Sequence, residues 1–442
     1  MKLSLHRHKI RSALGAVSIL WGGSISGAGI ALLCNLYLAY KLGPQGFGEF
    51  SAAFMVATIV APLGGLGVNS FILRIFGHEG WGGLLWGRAI IMFTFLTTIL
   101  AVAVMLIYAS VRYVTGSNDA LLLFIVAPTI LGQVAISIVS SKLQLEENYR
   151  GVAAWQVSSN VARLFFLLLV GTVFELSTGF AATVYSVVSL LLTVAAIPHV
   201  IALGNSNLRL QGHGTAPANV HSKHQPSMGA VAKESWQFGL GGFLYLVYYQ
   251  GPIVMLAPLS NTEDAGIYNA AYLILGACYL FPGVVFQKYL LPKLHRWTAS
   301  GHSQLQAIYF NGSGVMLGIG ALGGIMVALS SDFLIGLLFE RKFSSAAHVV
   351  ALLAICIPLR FFASSADAVL TSGARLKEKI KIQAIAATLC IVLNLILIPK
   401  FGIDAAILVT IFCEIFVTGS LHKFAYAEMY NKSKQGDIEG KL

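Results

Sequence analysis

The sequence predicts an all-α integral membrane protein of about twelve transmembrane helices, arranged as two pseudo-symmetric six-helix bundles. Three observations predict it. Hydrophobic residues make up 57% of the chain and charged residues only 11%, where a soluble domain is roughly a quarter charged. The apolar residues gather into runs of roughly twenty or more, the length a helix needs to cross a bilayer core about 30 Å thick. Six runs precede and six follow a single long polar interruption, and one segment of the first half returns in the second at a constant offset.

In order, the runs lie at about 13–40, 46–72, 84–110, 119–141, 151–173, 177–203, 234–257, 264–291, 304–329, 346–372, 378–399 and 402–426. Each backbone N–H and C=O in lipid must be bonded within the chain, which makes helices of such runs. The organisation that follows is a tail 1–12, a first bundle 13–203, a linker 204–233, a second bundle 234–426 and a tail 427–442. The basic head Met1 to Arg11 looks like the start of a signal peptide. The apolar stretch behind it continues to about residue 40 without a cleavage pattern, so a retained first span is expected.

The linker is rich in Asn, Ser, Gln, Gly and Pro and has no periodicity, as a flexible connection would. Its His213, His221 and His224, with His199 before them, are irregularly spaced and lack a companion Cys or carboxylate cluster, so no metal is expected. Cys34, Cys278, Cys356, Cys390 and Cys413 all sit in apolar runs without CxxC spacing, which speaks against disulfides. Glycines four apart, Gly314 with Gly318 and Gly320 with Gly324, suit close helix packing in lipid.

The repeated segment is Gly48-Glu49-Phe50-Ser51-Ala52-Ala53, which returns 218 positions later as Gly266-Ile267-Tyr268-Asn269-Ala270-Ala271. The same offset sets Gly65 against Gly283 and Asn69 against Gln287. One helical design used twice is a frequent plan of membrane transporters. The two copies are read as tight turns joining the first span to the second and the seventh to the eighth.

Basic residues set the orientation, because they collect on the cytoplasmic side. With the N-terminus inside, 22 of the 29 Lys and Arg fall on the cytoplasmic side, five on the other (Lys41, Arg112, Arg341, Lys342, Lys400), and two inside spans. Both termini are therefore expected in the cytoplasm. The net charge of +11 reflects this bias and contact with anionic lipid, and calls for no nucleic-acid partner.

An ionisable group inside a span costs a few kcal/mol or more, so it faces a cavity or a partner. Arg163 stands midway along the fifth span, Arg360 and Asp367 share the tenth, and Glu414 is central in the twelfth. Lys288, near the cytoplasmic end of the eighth, has a stem long enough to snorkel. Two readings stand open. In one, Arg360 pairs with Asp367, or Arg163 with Glu414, as a fixed brace. In the other, Arg163, Arg360 and Lys288 line a cationic chamber for an anionic head group, with Asp367 and Glu414 as proton or counter-charge sites. Polar residues of the first, second, seventh and eighth spans, Asn35, Asn69, Tyr249, Gln250 and Gln287, can donate and accept as sugar hydroxyls require, or can bond helix to helix.

Catalytic patterns are missing. There is no GxxxxGK[ST] phosphate loop, no GxSxG elbow and no long aqueous domain, so neither an ATP-driven pump nor an enzyme is expected, and no cofactor.

Leu42-Gly43-Pro44-Gln45-Gly46-Phe47-Gly48-Glu49-Phe50, followed by Gly64-Gly65-Leu66-Gly67 and Arg74, resembles the first two spans of bacterial oligosaccharide flippases of the O-antigen and exopolysaccharide type. These belong to the multidrug/oligosaccharidyl-lipid/polysaccharide exporter superfamily. Ala265-Gly266-Ile267-Tyr268, Leu291-Pro292-Lys293-Leu294 and the run Asn394-Leu395-Ile396-Leu397-Ile398-Pro399-Lys400-Phe401-Gly402 extend the likeness over about residues 12–426. Two positions depart from it. Gln250 stands after Tyr248-Tyr249 where the family often has an acid, and Ala405 replaces a glycine.

The resemblance implies a V-shaped transporter working by alternating access, without catalysis or cofactor, in the bacterial inner membrane. Its cargo would be a polyprenyl-pyrophosphate-linked oligosaccharide for surface polysaccharide biosynthesis, moved from the cytoplasmic to the periplasmic leaflet. Its partners would be the bilayer, a coupling ion (H+ or Na+) and polysaccharide polymerase machinery. A cation-coupled multidrug exporter of the same superfamily is the alternative, and would want an acidic cavity. A membrane-embedded glycan polymerase or ligase ranks below both, because the outer loops are short.

Overall fold

The computed structural model describes residues 2–117, 119–205, 208–210, 225–283, 285–286, 303–372 and 375–439, and contains no strand among them. Eight helical stretches are long and apolar enough to cross a membrane, or nine if Ala346–Leu353 and Cys356–Thr371, bent by 42° at a short break, count as one more. Trp21–Val114, with 94 residues, and Leu376–Met429, with 54, far exceed one crossing of about 20 residues. Three of the runs expected from the sequence fall on the former stretch and two on the latter. Outward faces carry large apolar side chains, such as Phe95 at 69% exposed, Leu322 at 70% and Met326 at 70%. Apolar surface on this scale is stable against lipid and not against water, and the chain is a multi-pass membrane protein.

The contacts divide the chain into two compact units, residues 1–42 with 52–246 and residues 43–51 with 247–442. Unit 1 holds most of α1 (Lys2–Val60), α2 (Val68–Glu79), α3 (Gly87–Val114), α4 (Ala120–Val126), α5 (Thr129–Leu145), α6 (Tyr149–Val173) and α7 (Thr178–Gly204), with the first part of α8 (Met228–Leu259). Phe71, Ile72, Phe76, Ile90, Phe93, Leu203 and Val231 form one of its buried clusters. Unit 2 holds the rest of α8, α9 (Thr262–Pro282), α10 (Ser303–Leu329), α11 (Ser331–Leu338), α12 (Ala346–Leu353), α13 (Cys356–Ser372) and α14 (Leu376–Glu439).

The helix breaks follow from local chemistry. α1 breaks at Gly43, with φ 67° and ψ 178°. Only glycine takes that φ without strain, and Pro44 behind it both bars α geometry at the preceding residue and lacks an N–H. The second expected span, 46–72, is not continuous. After Val60 the chain makes a 3-10 turn at Ala61–Leu63 and a bend with φ of 80° at Gly65, 39° at Leu66 and 81° at Gly67. Pro62 and the glycines stop the helix there. The fourth, 119–141, divides between α4 and α5 at Ala127-Pro128. α9 restarts at an Asn261 cap, whose Oδ1 accepts from the Asp264 N–H at 2.7 Å.

The repeated segments are helical and are not turns. The breaks lie just before them, at Gly43 and at Ser260-Asn261, again close to 218 apart. Within unit 2 the two copies touch each other, residue by equivalent residue. A Cβ on Gly48 would lie 1.7 Å from the Thr262 carbonyl oxygen, and one on Gly266 would lie 2.0 Å from that of Pro44. Asn269 Nδ2 donates to Ser51 Oγ at 2.8 Å. Glycine is needed on both helices because the backbones cross at contact distance.

The two GxxxG pairs separate. Added Cβ atoms at Gly320 and Gly324 would meet α13 and its lead-in at 2.8 Å (Pro358 Cα) and 2.9 Å (Ala354 O), whereas Gly314 and Gly318 face open space. Of these two pairs, Gly320 with Gly324 is the packing site.

Candidate functional site

Arg163 of unit 1 is buried and Arg360 of unit 2 is half-buried, and their surroundings differ. In unit 1, α6 carries Arg163, α7 carries Tyr185 and the last turns of α1 carry Phe54. The Arg163 guanidinium carbon lies 4.4 Å from the centre of the Tyr185 ring and 5.5 Å from that of Phe54. The two rings pack edge to face at 5.0 Å. Arg163 is 8% exposed, and its Nε has no hydrogen-bond partner. Among the described residues no carboxylate lies within ion-pair distance of it. One turn away, Asn160 fastens α6 to α1: its Nδ2 donates to the Gly27 carbonyl at 3.0 Å and its own carbonyl accepts from Cys34 Sγ at 3.5 Å.

In unit 2, α13 carries Arg360 and α14 carries Glu414. Arg360 Nη1 lies 3.6 Å from Glu414 Oε1 and donates to the Tyr248 hydroxyl at 2.9 Å. The guanidinium also stands over the rings of Tyr249, at 5.5 Å, and Tyr279, at 5.8 Å. Tyr249 packs on Tyr272 at 4.9 Å, Tyr272 stacks on Tyr268 at 5.6 Å, and the Tyr268 hydroxyl bonds Thr410 Oγ1 at 2.7 Å. Glu414 is 2% exposed, and its Oε2 makes no hydrogen bond.

The braces expected from the sequence are thus re-partnered. Asp367 pairs with Lys379 Nζ at 2.7 Å, so Arg360 is left to Glu414, and Glu414 is not the partner of Arg163. Arg360 and Asp367 do share a helix, but seven residues at about 1.5 Å rise separate them by about 10 Å along its axis, beyond ion-pair reach. Lys288 and Gln287 lie outside the described residues.

Among the remaining residues expected to meet sugar, Asn35 Nδ2 donates to the Ala31 carbonyl one turn back at 2.8 Å. Asn69 is exposed and lines a cavity of unit 1. Tyr249 belongs to the tyrosine cluster over Arg360. Gln250 Oε1 is buried without a partner.

Sequence reasoning passed over Tyr185, Phe54 and Tyr279, which face the two arginines, and Tyr272, which packs on Tyr249 behind them. A signal was present for two of them: Tyr272 and Tyr279 are seven apart on an apolar helix, hence on one face. Tyr185 is a lone phenol in an apolar run and carries no such pattern.

A family model described as polysaccharide biosynthesis protein matches residues 14–297. The chain belongs to this family. No curated protein sequence matches it. Solved structures share its fold at low identity. One is an inward-facing multidrug resistance MATE family transporter of the MOP superfamily, with 12% identity over 93% of this chain and 96% of that one and a TM-score of 0.67. The lipid II flippase MurJ, in an inward closed conformation, has 14% identity over 92% and 87% and a TM-score of 0.66. The MATE multidrug transporter DinF-BH has 14% identity over 93% and 94% and a TM-score of 0.66. The fold is therefore that of MOP-superfamily transporters, as the sequence motifs imply.

Proposed function

We propose that the protein flips a polyprenyl-pyrophosphate-linked oligosaccharide from the cytoplasmic to the periplasmic leaflet of a bacterial inner membrane, for surface polysaccharide biosynthesis. The observation that carries this reading is Arg163, a buried cation between two aromatic faces with no carboxylate beside it among the described residues. A guanidinium so placed has hydrogen-bond donors to offer a phosphate oxygen, and its charge calls for an anion. Arg360 is a second head-group contact in this reading, held in check by Glu414. Tyr249, Gln250 and Asn69 contact sugar hydroxyls.

The movement is by alternating access and involves no chemical conversion. Both termini are cytoplasmic in this account, as the bias of the basic residues implies. Outward passage of a pyrophosphate moves negative charge toward the positive side of the membrane, worth about 2 kcal/mol per charge at about 100 mV. The potential can therefore drive the step, with or without a coupled H+ or Na+, and the glycan passes to polymerase machinery outside. Glu414 and Asp367 are the proposed proton or counter-charge sites. Each of these carboxylates has a cation beside it, Arg360 and Lys379, which weighs against the multidrug exporter reading.

Deletion of the gene tests the proposal. A polyprenyl-pyrophosphate glycan should accumulate on the cytoplasmic leaflet, out of reach of periplasmic reagents, and should clear when the chain is restored. Unchanged glycan export with increased sensitivity to cationic dyes would overturn it in favour of the exporter.

A further inference from the structure

Unit 1 contains a cavity of about 360 Å³, within the size range of small-ligand sites. It is separate from the arginine centre: neither Arg163 nor the rings beside it line it. One wall is the bend that interrupts the second expected span, with Pro62, Gly64, Gly65, Gly67 and Asn69. Another is α5, with Gln133 and Ser137. A third is the start of α8, with Phe238, Gly239 and Gly242.

The bend is fixed in place. A Cβ on Gly67 would lie 2.4 Å from the Gly239 nitrogen, and one on Gly239 would lie 2.4 Å from the Leu66 carbonyl carbon, so bend and α8 meet backbone to backbone. The Gly65 N–H donates to Thr97 Oγ1 at 2.9 Å, which ties the bend to α3. Glycine at these positions leaves polar backbone where side chains would otherwise fill the space.

The lining carries no Lys, Arg, Asp or Glu, so it suits neither a pyrophosphate nor a cation. It offers amides at Asn69 and Gln133, hydroxyls at Thr58, Ser70 and Ser137, and one aromatic ring, Phe238. Gln133 lines the cavity and its Nε2 has no hydrogen-bond partner in the protein, so a small turn of the amide would bring an unused donor to a ligand oxygen. Thr58 and Ser137 already donate to the Phe54 and Val134 carbonyls and keep their oxygens as acceptors. With the amides as donors and one apolar ring, the lining matches a neutral polyhydroxylated ring with a C–H face. Ser70 and Phe238 each lie one turn from Arg74 and Glu234, an ion pair at 3.4 Å. Arg74 and Glu234 stand on the side that the basic residues assign to the cytoplasm, where the substrate is loaded.

We propose that this cavity is a sugar subsite, receiving one neutral sugar ring of the lipid-linked glycan, with Gln133 and Asn69 as its hydrogen-bonding contacts. The inference rests on the flippase reading and adds a recognition element that a pyrophosphate contact cannot supply.

The test compares binding, by native mass spectrometry of the full chain in detergent, of undecaprenyl pyrophosphate and of the same lipid carrying a single glucose or N-acetylglucosamine. The wild-type chain should bind at least one sugar-bearing lipid about tenfold more tightly than the bare lipid. Gln133→Leu should abolish that difference and leave bare-lipid binding unchanged. Gly242→Val, whose Cβ would meet Pro62 Cβ at an ordinary 3.8 Å, should do the same by filling the space. A sugar preference that survives in both variants, or is absent from wild type, would overturn the subsite while leaving the flippase reading standing. Failure of wild type to bind any of the three lipids would overturn both.

Discussion

Arg163 and Arg360 are both arginines set among aromatic rings inside a membrane protein, and only one has an acid at hand among the described residues. Arg360 meets Glu414 at 3.6 Å and Tyr248 at 2.9 Å. Arg163 has the faces of Tyr185 and Phe54 and an unpaired Nε. A buried ion pair is self-sufficient: breaking it strands a charge. A guanidinium that stands over ring faces with its Nε unbonded keeps hydrogen-bonding capacity for something else, at the modest stabilisation that cation–π contacts give. In the proposed reading, this difference makes Arg360 mainly a structural residue and Arg163 the main head-group contact.

Substitutions sharpen this contrast in order of expected effect. Arg360→Leu leaves Glu414 buried and uncompensated, and should lower stability by about 3–5 kcal/mol in denaturation of the detergent-solubilised chain. The double variant Arg360→Leu/Glu414→Leu should regain most of that loss. If it does not, the pair is not what makes Arg360 structural. Next comes Gly48→Leu, which drives a side chain into the Thr262 backbone. Overpacking of this kind costs about 1–3 kcal/mol, and unchanged stability would contradict the close helix crossing.

Tyr185→Leu removes the nearer ring face from Arg163 and should cost about 0.5–2 kcal/mol, with weaker lipid binding as a second readout. Asp367→Asn should have the smallest effect. Its pair with Lys379 is partly exposed, at 23% and 17%, and such pairs contribute about 1 kcal/mol or less. A loss as large as that of Arg360→Leu would show that Asp367 bears more than an ion pair.

Much of the fold was legible in the sequence, because lipid leaves an apolar run few alternatives to a helix. The break at Leu42-Gly43-Pro44 was also written locally, since Gly-Pro cannot continue a helix. Other parts were not legible. The bend at 61–67 lies inside an unbroken apolar run, so hydrophobicity spans it even though Pro62 and three glycines disrupt the helix. The offset of 218 residues disclosed a repeat, yet not that Gly48 would face Gly266 and Ser51 would meet Asn269.

For the candidate site, depth in the spans picked out Arg163 and Glu414, which are buried, and Arg360 and Asp367, which are half-buried, but passed over Lys142, which is buried beside Glu146. Their pairing was hidden, because it depends on which helices adjoin. Asp367 shares the helix of Arg360 but took Lys379, and Glu414 came from α14. The cavity around Gln133 was hidden for the same reason: its walls come from segments far apart in the chain.

The most direct test of the central claim is the paired measurement of stability and undecaprenyl pyrophosphate binding for Arg163→Leu. The contrast between the two arginines predicts unfolding within about 2 kcal/mol of wild type, together with a loss of binding of about tenfold or more, as removal of a charged hydrogen-bonding group implies. Wild-type binding in a well-folded Arg163→Leu chain would contradict it.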